Sequence, residues 1–153
     1  MSLLLVQSCS NSKNRVADSV PALDLYAGYF YKIIKKATRN GAIRSDLDLR
    51  ILSAKHGLLH PETKIGYYDR RMDTKRGDEL RDDVIADLRS LIQNEGYNRV
   101  VINMGREYRA AIHGFDEGLD VSVDVIEGAG IGHKGHVLKR VIRGDDSALE
   151  VPN

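Results

Sequence analysis

Two apolar runs of this sequence end abruptly in small polar residues and a lysine. The first run, residues 3–7, is followed by hydroxyl, thiol and ammonium groups from Ser8, Cys9, Ser10 and Lys13. The second run lies at the end of the predicted strand 47–53 and is followed by a similar set of groups from Ser53, Lys55, His56 and Gly57. Ammonium and hydroxyl groups bind anions, and histidine exchanges protons near neutral pH. These residues therefore suit phosphate binding combined with acid–base chemistry.

Two later segments add groups of the same kind. Gly105 and Tyr108 follow the apolar residues 99–103, and the segment EGAGIGHKG follows residues 121–126. The latter contributes Gly128, Gly130, Gly132, His133 and Lys134. A glycine-rich turn that enters a helix exposes backbone amides that bind anions. Because GxxxxGK[ST] is absent, we interpret the segment as a general anion cradle and not as a P-loop.

The predicted site divides into two groups of residues. The predicted catalytic residues are His56, His133, Asp69 and Cys9. The predicted ligand-binding residues are Ser8, Ser10, Lys13, Ser53, Lys55, Gly57, Tyr68, Gly105, Tyr108, Gly130, Gly132 and Lys134. Either histidine would be the general acid or base, while Tyr68 would border a base and Asp69 would orient a donor. Plainer interpretations stay open: the thiol as packing, the lysines as solvated side chains and the histidines as loop residues.

The sequence predicts no metal ion and no other cofactor. The carboxylates of Asp69, Asp73, Asp78 and Glu127 lack the spacing of a metal cluster. The histidines at positions 113, 133 and 136 do not match a zinc motif.

The periodicity of the chain indicates how these residues are positioned. Predicted strands at 3–7, 47–53, 99–103 and 121–126 alternate with predicted helices at 22–38, 78–94, 106–113 and 136–143. The connecting segment 54–71 reads as a loop with a short turn of helix. This order predicts an α/β domain with a mainly parallel central sheet of about four strands and helices on both faces. The carboxyl ends of parallel strands meet at one edge, where ligands bind in such sheets.

Composition sets outer limits on function. The chain has 153 residues, a formal net charge of +1 and one cysteine. We interpret residues 1–143 as a single domain and residues 144–153 as a flexible C-terminal tail. The near-neutral charge excludes a global attraction to nucleic acid, and the lone cysteine excludes an internal disulfide. The first apolar run is too short to span a membrane and shows no signal-peptide pattern, so we expect a cytoplasmic protein without membrane association.

One segment offers a local basic patch. Residues 64–81 combine six cationic side chains with Tyr67 and Tyr68, and Asp69, Asp73 and Asp78 dilute their charge. Cations interleaved with aromatic rings fit a nucleic-acid backbone whose bases stack on the rings, whereas the alternative is a solvated surface loop.

Several motifs resemble known families. CSNSK, SAKHGLLHPETKIGYYD and GIGHKGHVLKRV resemble a small α/β domain family marked by CSxxK and SAKxGLL. The segment SAKHGLLHPETKIGYYDRRM is also similar to SGLYGLLRPLDxIxPYRLEM of the bacterial peroxide-stress family, which implies DNA binding and a stress response. The positions that match are Ser53, Gly57, Leu58, Leu59, Pro61, Ile65, Tyr68 and Met72. CSNSK further resembles the PCSxxK motif of archaeosine-synthase-type proteins, which act on a modified tRNA base.

Together these observations predict a nucleotide- or nucleobase-binding protein. Our first hypothesis is an enzyme of nucleotide or nucleic-acid modification, a transferase or a glycosylase-like hydrolase, with its site at the carboxyl edge of the sheet. The alternative is a non-catalytic DNA- or RNA-binding stress-response protein that uses residues 64–81. A third hypothesis is a partner-binding domain that forms a homodimer through Tyr29 and Tyr31 on the first helix.

Overall fold

A computed structural model of the chain describes residues 2–127 and 130–149. Its central sheet has five strands: β1 (Leu3–Ser8), β3 (Leu47–Ser53), β4 (Gly57–Leu59), β6 (Arg99–Asn103) and β7 (Ser122–Val125). Their spatial order is β4-β3-β1-β6-β7, and all neighbours are parallel except β3 and β4. Two short strands, β2 (Val20–Pro21) and β5 (Lys64–Ile65), form a separate antiparallel pair.

Helices cover both faces of the sheet. The helices are α1 (Ala22–Leu25), α2 (Tyr29–Arg39), α3 (Thr74–Glu95), α4 (Arg106–Arg109) and α5 (Ile131–Ile142), followed by a 3₁₀ helix (Asp146–Leu149). Ile34 and Ala37 of α2 share one core with the sheet and with α5, whereas the buried residues of α3 and Tyr31 of α2 lie in the other core. The predicted α/β architecture is confirmed, with five strands where about four were expected.

The central strand β1 explains why two cores exist. Leu4 and Val6 point into the core that contains α3, while Leu3 and Leu5 point into the core that contains α5. All four side chains are at most 2% exposed. A strand buried on both faces reads as a continuous apolar run, which is why its position was predictable.

The connections that follow β1 and β6 leave the sheet in opposite directions. The chain after β1 continues into α2 on one face, whereas Ala111, Ile112 and Phe115 after β6 pack on the other face. The two neighbouring strands therefore form a switch point, which is where open α/β sheets bind ligands.

The predicted first helix, residues 22–38, is wrong because the chain breaks it into α1 and α2. Tyr26 is extended, and the amide of Ala27 donates to the carbonyl of Ser12 at 2.8 Å. The amide of Asn14 likewise donates to Leu25 at 2.7 Å. The loop after β1 thus takes hydrogen bonds that a continuous helix would use internally.

Other boundaries also differ from the predictions. The segment 54–71 contains β4 and β5 where a turn of helix was expected, because Gly57 (φ +75°) turns the chain back onto β3. The helix α3 starts earlier than predicted, since the Asp73 side chain accepts from the amide of Arg76 as an N-cap. The predicted helix 106–113 is shortened to α4.

The last predicted helix also begins earlier, at Ile131. Gly130 is therefore its N-cap residue, and Gly132, His133 and Lys134 lie inside the helix instead of in a preceding turn. Gly128 lies outside the described residues.

The C-terminal segment makes specific contacts within the described residues. Asp146 is within 2.5 Å of Arg44 and 3.4 Å of Arg99, and Ala148 and Leu149 pack against the α5 core. Residues 150–153 lie outside the described part, so the predicted flexible tail stays a prediction there.

Candidate functional site

Three hydroxyl groups form a buried chain at the carboxyl edge of the sheet, which we call the hydroxyl cluster. The hydroxyl oxygen of Tyr68 lies 2.7 Å from that of Tyr26 and 2.9 Å from Oγ of Ser53. Ser53 Oγ also accepts hydrogen bonds from the amides of Lys55 and His56, at 3.2 and 3.1 Å. Ser53 is fully buried, so it shapes the turn after β3 and offers no free surface to a ligand.

A second buried contact joins the loops after β1 and β6. Cys9 Sγ lies 3.1 Å from the hydroxyl of Tyr108, and two residues before Cys9 the side chain of Gln7 accepts a hydrogen bond from that of Asn103 at 2.8 Å. Cys9 is 8% exposed. These pairs link β1 and β6 at the switch point, and they leave the thiol little surface for attack on a substrate.

The tyrosines around Cys9 are held in the protonated form. Burial raises the pKa of Tyr26 to about 12 and raises the pKa values of Tyr31, Tyr68 and Tyr108 well above the usual value for tyrosine. They therefore act as neutral hydrogen-bonding groups at physiological pH.

Three ionisable side chains gather around the ring of Tyr68, and we call this arrangement the edge site. The Nζ atoms of Lys13 and Lys55 lie 4.7 and 5.8 Å from the ring centroid. The His56 ring meets the Tyr68 ring edge-on at a centroid distance of 5.5 Å. Two loops that are distant in sequence thus bring two cations and an imidazole to one place.

The electrostatics of the edge site favour a neutral imidazole. Partial burial, followed by the neighbouring ammonium of Lys55, lowers the pKa of His56 below its ordinary value. A neutral histidine at physiological pH is able to accept a proton from a bound group.

A shallow pocket opens beside the edge site. Its lining includes Lys55, Tyr68, Asp69 and Arg76, and the Asp69 side chain is exposed there. Arg76 supports the turn after β3, because its Nε donates to the carbonyl of Ala54 at 2.6 Å and its Nη2 to that of Lys55 at 2.9 Å.

Ser8 and Ser10 line a different groove, on the α2 side of the β1 loop. Ser10 Oγ accepts from the amide of Gly28 at 3.2 Å, and the hydroxyl of Tyr31 donates to the carbonyl of Ser8 at 2.8 Å. Tyr31 is 1% exposed, so only Tyr29 of the pair predicted for a dimer surface faces solvent, and the homodimer itself stays a prediction.

The remaining predicted residues do not join the edge site. Gly105 and Lys134 line a separate cleft with Arg106, Arg109 and Glu127, beyond β6. Gly57 is buried at the turn into β4, and Gly130, Gly132 and His133 lie exposed at the start of α5.

Sequence reasoning missed two residues that organise the site. Tyr26 was assigned to the apolar face of a helix, and its hydroxyl is instead part of the hydroxyl cluster. Arg76 was grouped with a surface patch although it holds the turn that carries Lys55. The sequence contained a local signal only for Tyr26, because Gly28, two residues later, favours a break in the helix.

Two larger grooves lie elsewhere. One is an apolar groove of about 350 Å³ at the amino end of β3, with Ile43, Leu47 and Leu49 in its wall. The other, of about 400 Å³, lies on the surface between α2 and α5.

Neither a metal cluster nor a membrane-spanning helix is found in the described residues. Among residues 2–127 and 130–149, no three His, Cys, Asp or Glu side chains are grouped to hold an ion. In the same part of the chain, every helix is too short or too polar to cross a bilayer.

The fold and the edge site define a doubly wound α/β domain with polar groups at its switch point. The chain belongs to a family of unknown function, DUF6884, which matches residues 3–140. No curated protein matches the sequence.

One solved structure has a similar fold. The crystal structure of AF0587, a protein of unknown function, is similar with a TM-score of 0.54 and 13% identity. The alignment covers 99% of this chain and 45% of that chain, so this chain spans less than half of that protein's length. At this identity the similarity shows the fold alone.

We expect Tyr68→Phe to destabilise the protein by about 1–3 kcal/mol, because the buried hydroxyl of Tyr26 then loses its partner. Tyr67→Phe is the matched control: that ring is 38% exposed, and its change should stay within about 0.5 kcal/mol. Urea denaturation measures both. Equal effects of the two substitutions would contradict the buried cluster.

We expect the pKa of His56 to lie below 6.5 and to rise in Lys55→Gln, because the ammonium of Lys55 disfavours the imidazolium. NMR titration of the imidazole measures this. Lys64→Gln is the control and should leave the pKa unchanged, since Lys64 is an exposed lysine on β5 and not one of the cations around Tyr68.

The same shift sets a pH dependence of stability. Between the lowered pKa of His56 in the folded chain and its unfolded value of 6.5, the unfolded chain binds more protons, so the free energy of unfolding decreases as the pH falls through this window. A pKa of His56 above 6.5 would contradict the account.

Proposed function

We propose that this protein binds a nucleotide at the carboxyl edge of its sheet, with the anionic part of the ligand against Lys13 and Lys55. The proposal rests on the convergence of these two ammonium groups and His56 around the ring of Tyr68. Two cations that approach one point from separate loops suit a phosphate better than a neutral ligand.

The position of the site supports the same proposal. The edge site lies beside the switch point between β1 and β6, the usual place for ligands in this class of sheet. The helices α2 and α5 both begin at this edge, so their amino-terminal dipole ends add positive potential there.

We propose that an exposed aromatic ring, that of Tyr67, binds the base of the nucleotide. Tyr68 is 5% exposed and therefore lacks a free face for stacking, which differs from the role we predicted for it. Its neighbour Tyr67 is 38% exposed and lines the pocket beside the edge site. The guanidinium of Arg15 lies 4.8 Å from the centroid of the Tyr67 ring. A base that stacks on Tyr67 would place its phosphate near Lys55.

For turnover, we propose His56 as the general base or acid in a modification of the base or of the glycosidic bond. Its lowered pKa keeps it neutral and ready to accept a proton. Asp69 lines the pocket beside the edge site and is a further titratable group available to a substrate. His133 lies exposed at the start of α5 and is not among the side chains around Tyr68, so it takes no part in the proposal.

The alternative, non-catalytic DNA or RNA binding through residues 64–81, has weaker support. Arg76 donates to two backbone carbonyls, Arg81 is held by Asp78 and the carbonyl of Ala110, and Arg70 lies 3.7 Å from Glu79. Much of the charge in this stretch is therefore engaged within the protein.

A thermal-shift screen with nucleoside monophosphates tests the proposal. A ligand at about 100 times its Kd should stabilise the wild type by about 2.7 kcal/mol, which raises the Tm by about 5–10 °C. Lys13→Ala and Lys55→Ala should lose most of this shift, whereas Lys64→Ala, an exposed lysine on β5, should keep it. The absence of any shift in the wild type, or its survival in both edge-site variants, would refute the proposal.

The catalytic part needs its own readout. His56→Gln should retain the thermal shift and abolish the conversion of a bound nucleotide, followed by chromatography and mass spectrometry. Conversion at the wild-type rate by His56→Gln would remove His56 from the mechanism and leave nucleotide binding intact.

A further inference from the structure

Positive charge is concentrated on two neighbouring helices. α2 carries four Lys or Arg residues and α5 carries three, and neither helix contains Asp or Glu. Because the whole chain has a formal net charge of only +1, the rest of the chain is net negative. The near-neutral total therefore conceals one strongly basic face.

The groove between these helices gathers this charge, and we call it the helical groove. Its basic side chains are Lys32, Lys36, His136, Lys139 and Arg143. None of the described residues that line it is acidic, and its Lys and Arg side chains have no ion-pair partner in the described part of the chain. Four permanent charges without counter-ions favour an anionic partner.

The charges form two parallel rows. Lys32 and Lys36 are one helical turn apart on α2, and Lys139 and Arg143 are one turn apart along α5 and its C-cap. One turn corresponds to a rise of about 6 Å. The rows therefore present charge repeatedly along the groove, which suits a linear polyanion better than a single small anion.

An aromatic ring lies at the end of the groove that is nearest the carboxyl edge of the sheet. Tyr29, the first residue of α2, is 43% exposed and lines both the helical groove and the groove beside Ser10. It crosses α5 at Gly135, where an added Cβ would lie 2.4 Å from the ring. The absence of a side chain at Gly135 thus allows the ring to lie between the two helices.

From these observations we infer that the helical groove binds the backbone of a single-stranded nucleic acid, with Tyr29 stacking on one of its bases. Cations that follow a backbone next to an exposed aromatic ring are the usual means of binding single strands. The helical groove is a surface groove of about 400 Å³ between two packed helices, so a single strand would lie along it. A flat bilayer would not reach into such a concave surface.

The inference deepens the proposed function and rests on it for the class of ligand. A strand in the helical groove continues past Tyr29 towards the carboxyl edge, since both α2 and α5 begin there. The substrate would then be a nucleotide within a polynucleotide. The basic interface lies on the α2 and α5 face and not on residues 64–81, of which Tyr68 and Leu80 pack in the other core.

Fluorescence anisotropy with labelled oligo(dT) and oligo(rU) of about 12 nucleotides tests this inference. Lys32→Ala combined with Lys139→Ala should weaken binding about tenfold at about 50 mM salt. The slope of log K against log salt should become less negative by about 1.4, because two phosphate contacts are lost. Lys64→Ala combined with Lys75→Ala is the control with the same charge change in the rival segment, and it should bind as the wild type does.

Four outcomes would overturn the inference. Equal losses in both double variants would show a general charge effect, and a loss only in the control pair would place the interface at residues 64–81. Tighter binding of a polyglutamate peptide of matched charge would show that the groove takes an acidic protein segment instead. Wild-type affinity of the Lys32 and Lys139 double variant would likewise reject it.

Further variants separate the ring from the charges and this inference from the proposed function. Gly135→Ala should displace the ring of Tyr29 and weaken oligonucleotide binding without changing the salt slope, and Tyr29→Leu should do the same. The Lys32 and Lys139 double variant should keep the thermal shift with mononucleotides, which depends on Lys55. Oligonucleotide binding without any mononucleotide shift would sustain the groove and refute the edge site.

Discussion

The buried phenol of Tyr68 is the contact on which the candidate site depends. Its hydroxyl reaches inward to Tyr26 and Ser53, and its ring faces the ammonium groups of Lys13 and Lys55. A buried hydroxyl is costly unless it is paired, so the inward hydrogen bonds fix the ring. The fixed ring then sets where the two lysines meet, although they come from different loops.

The surrounding fold separates two kinds of surface. Because β1 is buried on both faces, polar chemistry is displaced to its carboxyl end, where Cys9 and Tyr108 connect neighbouring strands. On one face of the sheet, α2 and α5 present basic side chains without acidic neighbours in their groove. On the other face, basic side chains such as Arg76 and Arg81 are engaged by backbone carbonyls. The placement of charge, and not its total, therefore distinguishes the two faces.

Much of the framework was predictable because burial leaves a clear pattern. Residues 99–103 were predicted with the observed boundaries, since a strand covered on both faces is a continuous apolar run. Residues 47–53 were also predicted with the observed boundaries, although Asp48 and Arg50 interrupt the apolar residues of that strand. Gly28 gave a local signal for a break near Tyr26, but the position of the break depends on hydrogen bonds with Ser12 and Asn14 in the loop after β1, which helical periodicity does not reveal. The meeting of Lys13 with Lys55 was expected from strand order, whereas the inward hydroxyl of Tyr68 depends on tertiary packing. The groove between α2 and α5 escaped notice because its charge comes from helices 90 residues apart and the sequence total is near zero.

Mapping amide chemical shifts during a titration with a nucleoside monophosphate tests the central claim most directly. The account predicts that the largest changes occur at residues 8–13, 53–57 and 66–69, the loops that converge at the carboxyl edge around Tyr68. Changes concentrated instead at the apolar groove beside Ile43, Leu47 and Leu49, at the opposite end of β3, would contradict it. Such a result would move the ligand site to the amino edge of the sheet, away from both lysines and from His56.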